Sequence, residues 1–370
     1  MIINKFSPRD TTILKAISII FIVLHNALHP IYRPLKVCNE FDFSISRIQF
    51  FWDTVSSNIF ALPNCVLMAF GYTGVAYFFF LSAYGLAFKF NTSDDIPYWP
   101  FVKKRLGKLY IPIIISTLFL LLFIFTLGQY GTQTRFSAYH LFLQLATLIN
   151  FTSSYSAVIV GPWWFLGAII QLYFVFHLLM YGTKKLGNSF LLAISIVSVA
   201  TLMIFNNVLS EYIFLKKNII GWLPEVALGI YFVRSKKIEL TSVQATALAT
   251  AMACLYYIGN IYEFFWYFSS FAILVFCVIV SHPILSFVRR INWLNDFLTY
   301  TGKISVYMFL VNGIIREPIV ELYLKPESPV WLHSVSALII LILSFLVGAM
   351  LMYIQERVSL VMTRSAATAA

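Results

Sequence analysis

The chain has 370 residues, of which 60% are hydrophobic, 18% aromatic and 11% charged, with a mean hydropathy of +0.83. A soluble protein of this length carries about a quarter charged residues, so the composition excludes a soluble globular domain and indicates an integral membrane protein. The net charge of +11 does not point to nucleic acid: the basic residues sit at the ends of apolar runs, where they set topology and attract anionic lipid.

A membrane-spanning helix needs about 20 mostly apolar residues. On that measure the chain holds ten spans, near 12–31, 70–89, 109–128, 162–182, 188–206, 218–234, 241–259, 263–282, 296–316 and 333–355. The expected fold class is an all-α polytopic membrane protein of about ten transmembrane helices with both termini cytoplasmic. It is organised as one membrane domain over 1–360 and a disordered, Ala-rich tail over 361–370. The first run follows Lys5 and Arg9 but no small-residue cleavage site follows it, so it reads as an uncleaved helix. The stretch 42–66 mixes aromatic and polar residues and reads as an amphipathic helix at the membrane interface, with a second such helix over 136–150. A cytoplasmic N-terminus leaves only Arg33, Lys36, Arg47, Arg135, Lys216, Lys217, Arg316 and Lys325 of the 26 basic residues on the outer side. That excess fits the positive-inside rule.

The four cysteines have no metal-ligand spacing, and no metal is expected. Cys254 and Cys277 lie in apolar runs and read as small hydrophobes, whereas Cys38 and Cys65 fall in or near one extramembrane segment and could form a bridge.

Ionisable residues inside the spans are the functional signal, since a central Lys costs about 2.5–3.5 kcal/mol on insertion scales. In LKAISIIFIVLHNALHP, Lys15 can snorkel to the cytoplasmic headgroups. His25 lies ten residues on, about 15 Å further along the helix, past the midplane. It is a candidate for catalysis, and His29 reads as an interfacial residue. Further along, Ser82 and Lys89 share a face of FFFLSAYGLAFK. Lys103, Lys104, Arg105 and Lys108 crowd into WPFVKKRLGKLYIP, either as a topology signal or as a phosphate-binding patch. Trp164 shares a face with Gln171, Glu225 follows Pro224 inside a span, and Ser305, Asn312 and Arg316 line one face of 296–316. Singly each could join helices. Together they suggest a polar internal cavity.

These stretches, in this order, resemble the acyltransferase-3 family of integral membrane acyltransferases, which includes bacterial polysaccharide O-acetyltransferases. The resemblance is carried by KAISIIFIVLH, FFFLSAYGL, KKRLGKLYIP, PWWFLGAIIQLY and KISVYMFLVNG, over nearly the whole chain. The sequence departs from the family at three points. Nine residues rather than ten separate Lys15 from His25, Ala83 replaces a usual glycine, and Asn312 stands where many members have histidine.

The resemblance implies an O-acetyltransferase in the cell inner membrane. Acetyl would pass from cytoplasmic acetyl-CoA, a donor substrate rather than a bound cofactor, to a hydroxyl of a cell-surface polysaccharide or lipid-linked glycan. His25 would be general base or acyl carrier, with Lys15, Asn312 and Arg316 as further catalytic candidates. Lys104, Arg105 and Lys108 would hold the CoA phosphates, and Tyr84, Trp164 and Glu225 would meet the substrate. Candidate partners beyond the bilayer are a second copy of the chain or polysaccharide assembly proteins. The competing readings are a transporter or flippase of glycan or acyl intermediates, in which His25 and Glu225 would couple protons, and a non-catalytic subunit of a polysaccharide export complex.

Overall fold

A computed structural model describes residues 1–30, 41–92, 96–128, 137–152, 158–323 and 328–368, with side chains left aside at 127, 321–323 and 361–368. Cys38, and with it any bridge to Cys65, lies outside the described residues, as do Arg33, Lys36, Arg135 and Lys325. The described residues form helices throughout, joined by loops and short 3-10 turns, with a single isolated β-bridge between Ile2 and Glu239.

Ten helices coincide with the ten expected spans: α1 (Pro8–Leu28), α4 (Thr73–Asn91), α5 (Tyr98–Leu127), α7 (Trp164–Leu186), α8 (Asn188–Leu209), α9 (Leu223–Arg234), α10 (Ser242–Gly259), α11 (Glu263–Arg289), α12 (Asn292–Tyr323) and α13 (Val330–Thr368). Seven segments among the described residues are long and apolar enough to cross a membrane, built on α1, α3 to α4, α5, α7, α8, α11 and α13, where α3 is Leu62–Phe70. The other three expected spans fall short for separate reasons. Helix α9 has 12 residues, about 18 Å at 1.5 Å per residue, against a hydrocarbon core of about 30 Å. Helix α10 is diluted by Thr, Ser and Gln, and α12 carries Asp296, Lys303, Arg316 and Glu317.

Local signals set many boundaries. Ser7 and Asp10 close a capping box at the start of α1, and Thr241 and Gln244 do the same for α10, each satisfying amide groups that the first helical turn leaves unpaired. The stretch 42–66 differs from the expected single helix. Asn58, extended at φ −151°, ψ 100°, breaks it into α2 (Ser46–Ser57) and a 3-10 turn leading into α3, and its side chain caps that turn through the Phe60 amide. In the second expected interfacial stretch, α6 covers Ala138–Leu145. Helix α5 begins a full three turns before the expected span, so the basic cluster lies on the helix and not ahead of it. Helix α13 keeps helical backbone as far as Thr368, into the stretch expected to fray, in keeping with the helix propensity of its alanines.

Helix α1 is the hub. It packs chiefly on α12, and also on α4, α13 and α3, while α9 packs on α4 and α10 on α11. Close approach is made possible by missing side chains, as usual between membrane helices. A Cβ on Gly302 of α12 would lie 2.0 Å from the Thr12 carbonyl oxygen of α1. The arrangement gives the bundle two functional ends. At one, the C-terminus of α1 meets the N-termini of α4, α7, α9 and α11. At the other, Asp10 pairs with Arg289 at 2.5 Å, near the start of α1 and the end of α11.

Candidate active site

His25 is 4% exposed, on the last turn of α1. Its Nδ1 lies 2.6 Å from the Met68 carbonyl oxygen of α3. A carbonyl only accepts, so Nδ1 carries the proton and donates it, which leaves the neutral ring's lone pair on Nε2. The hydrogen bond therefore fixes both the tautomer and the ring plane. Gly71, at the end of α3, allows this approach: a Cβ there would sit 2.5 Å from His25 Cβ and 2.6 Å from the Phe21 carbonyl oxygen. His29 lies tilted by 33° against His25 at 4.9 Å between ring centroids, and Tyr72 meets His25 edge-on at 5.8 Å. The Tyr72 hydroxyl lies 3.0 Å from that of Tyr256, which donates to the Ala69 carbonyl.

Helix α12 braces the same turn of α1. Asn26 donates from Nδ2 to Asn312 Oδ1 at 2.9 Å, and Arg316 donates to the Asn26 carbonyl at 3.2 Å while pairing with Glu317. The Asn312 amide nitrogen turns back onto the Met308 and Phe309 carbonyls of its own helix. Asn312 and Arg316 thus hold the residue next to His25, through the Asn312 Oδ1 and one terminal nitrogen of Arg316, whose buried Nε has no partner among the described residues. Trp163 adds a bond from Nε1 to the Leu310 carbonyl at 2.9 Å.

A narrow cavity of about 30 Å³ opens beside His25, lined by Asn26, Tyr72, Trp164, Lys216, Trp222, Trp266 and Phe309 among others. That volume holds a water or two, so the site is tight and water-poor. Its walls are aromatic. Trp164 and Trp222 stack at 6.1 Å with planes 22° apart, and Phe41 meets Trp164 edge-on at 5.0 Å. Asn150, Gln171 and Asn218 knit the surrounding loops: Gln171 donates to Asn218 and accepts from the Ile219 amide, while Asn218 donates to the Asn150 carbonyl and Asn150 to those of Trp164 and Lys217.

Lys216 is the residue that sequence reasoning missed, taken there only as an outer-side charge. It lies in a 3-10 turn between α8 and α9, outside the long apolar helices, yet it is 4% exposed. Its Nζ lies over Trp266, 4.1 Å from the ring centroid, and 6.0 Å from that of Trp222, whose Nε1 donates to the Lys216 carbonyl. Burial pulls its pKa down to about 8, opposed by the charge of Glu225. Glu225 is buried on the first turn of α9, and its carboxylate oxygens make no hydrogen bond among the described residues.

The remaining sequence candidates lie elsewhere. Tyr84 is occupied by the N-terminal segment, its hydroxyl accepting from the Phe6 amide at 3.0 Å and donating to the Phe6 carbonyl at 3.2 Å. Lys15 stays at the other end of α1, and its nearest charged influence is Arg105, not His25. Lys89 feels the charges of Lys104, Arg105 and Lys108, so these five cations form one patch opposite the histidine end. Within it Arg105 lies over the Phe101 ring at 5.6 Å. Among the described residues no His, Cys, Asp and Glu cluster could hold a metal.

No curated protein and no solved structure matches the chain. The family model of the acyltransferase domain, acyltransferase-3, matches residues 11–354. The match takes in the locked histidine, its bracing helix α12 and the basic patch within one continuous alignment, and the chain belongs to the acyltransferase-3 family.

Proposed function

We propose that this protein is an O-acetyltransferase of the cell inner membrane. It moves acetyl from cytoplasmic acetyl-CoA to a hydroxyl of a cell-surface polysaccharide or lipid-linked glycan, with α1, α4, α5 and α7 to α13 as its ten spans and both termini in the cytoplasm. The observation that carries the reading is the His25 tautomer, set by Nδ1 bound to Met68, on a buried ring that lines a narrow, water-poor cavity.

A hydroxyl attacking a thioester needs a base that is unprotonated near neutral pH, which an imidazole supplies. The same lone pair would serve if His25 first took the acetyl group itself. Lys104, Arg105 and Lys108, with Lys15 and Lys89 beside them, suit the CoA phosphates. The thioester arm would reach from there toward His25. Trp164, backed by Trp222, gives the cavity an aromatic wall for a sugar ring, and Glu225 tunes the charge of that end. Asn312 and Arg316 act by holding Asn26, and therefore His25, in place.

The test uses membranes that carry their own acceptor, supplied with acetyl-labelled acetyl-CoA. Parent protein should place label in the glycan fraction and release CoA thiol, and His25→Ala at matched expression should do neither. Glycan crossing the bilayer without thiol release would replace this reading with a transporter.

A further inference from the structure

We propose that Lys216 is a catalytic residue of this site, its ammonium donating a hydrogen bond to the oxyanion formed when the thioester carbonyl is attacked. The inference rests on the acyl-transfer reading and adds the electrophilic half of the site to it.

As the glycan oxygen bonds to the carbonyl carbon, its proton passes to His25 Nε2 and the carbonyl π pair moves onto oxygen. Collapse of that intermediate expels the CoA thiolate, which takes the proton back from His25, so Lys216 is not consumed. The negative oxygen needs a preorganised donor in a water-poor site.

The other candidate donors are engaged or stand outside the cavity. Tyr84 is bound to Phe6 and the Asn312 amide to its own helix, and Arg316, which spends both terminal nitrogens on Asn26 and Glu317 and keeps an unpartnered buried Nε, does not line the cavity. Lys216 differs on each count. It lines the cavity with His25, it is buried, and among the described residues its Nζ makes cation–π contacts and no hydrogen bond. A cation held only by ring faces keeps N–H donors for a ligand. The carbonyl of Lys216 is pinned by Trp222, and the next residue's by Asn150, so the turn carrying it is rigid.

Charge is balanced around it. Glu225 on α9 and Asp42 ahead of α2 favour the ammonium, and Arg47 on α2 disfavours it. Lys217 lies over Phe41, at the cavity wall, and Phe214 but does not itself line the cavity, and His25 faces the same cavity. The ammonium with its lowered pKa still carries its proton at neutral pH and loses it in mild alkali, so transfer should fall as pH rises above about 8.

The experiment measures transfer from labelled acetyl-CoA in acceptor-bearing membranes, for the parent, Lys216→Met and Lys216→Arg. Lys216→Met should lower kcat about 10²–10³-fold, with KM for acetyl-CoA within about threefold. Lys216→Arg, whose guanidinium does not titrate in this range, should keep measurable transfer and lose the alkaline limb. If Lys216→Met does not reach the membrane, the pH profile of Lys216→Arg decides. An unchanged alkaline limb, or a Lys216→Met loss confined to KM, overturns the assignment and leaves the acyltransferase standing. A parent that transfers no label overturns the acetyl-transfer reading, and this inference with it.

Discussion

Gly71→Ala tests whether the histidine is positioned by helix contact alone. The added Cβ would stand 2.5 Å from His25 Cβ and 2.6 Å from the Leu67 and Phe21 carbonyl oxygens, where ordinary contact begins at 3.4 Å. Two of those three atoms are backbone and cannot swing aside, so the end of α3 and the last turns of α1 must part by most of an ångström. The Nδ1 to Met68 bond, 2.6 Å in the parent, would then leave hydrogen-bond range. His25 would lose both its fixed tautomer and its orientation. A misplacement of about 1 Å at a reacting group costs about 10²-fold in rate, and overpacking of this kind costs about 1–3 kcal/mol in stability. We expect Gly71→Ala to reach the membrane with modestly reduced thermal stability and transfer acetyl about 10²-fold more slowly, with KM for acetyl-CoA little changed because the donor patch is at the other end of α1. Labelled acetyl transfer and a detergent-solubilised melting curve read the two effects separately. Parental activity in this variant would refute the claim that the Met68 bond sets up His25.

Three further outcomes follow from the same geometry. His29→Ala should slow transfer only several-fold, since His29 meets His25 by a tilted ring contact and is half-buried; a loss equal to that of His25→Ala in the same label-transfer assay would make the pair a unit. Arg105→Ala combined with Lys108→Ala should raise KM for acetyl-CoA and make it less dependent on salt, because fewer cations hold the phosphates; a donor titration at two ionic strengths reads this, and an unchanged KM would reduce the patch to a topology signal. Glu225→Gln removes a carboxylate that favours the Lys216 ammonium, so the ammonium should deprotonate at lower pH and the alkaline limb should move down; a limb that stays or rises contradicts the coupling.

The amino-acid sequence by itself determined that the chain belongs in a membrane, where its long helices run and which end of α1 carries the candidate histidine. These are local properties: an apolar run long enough to cross lipid, a capping box at Ser7 and another at Thr241, a histidine that follows Ile, Phe, Val and Leu. The resemblance of five short motifs, in order, was enough to anticipate the family. Tertiary structure decided which polar groups meet. Asn26 and Asn312 are 286 positions apart and bond only because α1 and α12 pack closely. Tyr84 lies on the helix that Tyr72 precedes but faces Phe6, three turns away from the cavity. Lys216 looked like one more charge outside the membrane, since a loop lysine is ordinarily solvated. It became a cavity residue only when Trp222 and Trp266, contributed by α9's approach and α11, closed over it. Hydropathy is read from neighbours along the chain, whereas a catalytic constellation is a property of neighbours in space, and helix packing alone converts one into the other.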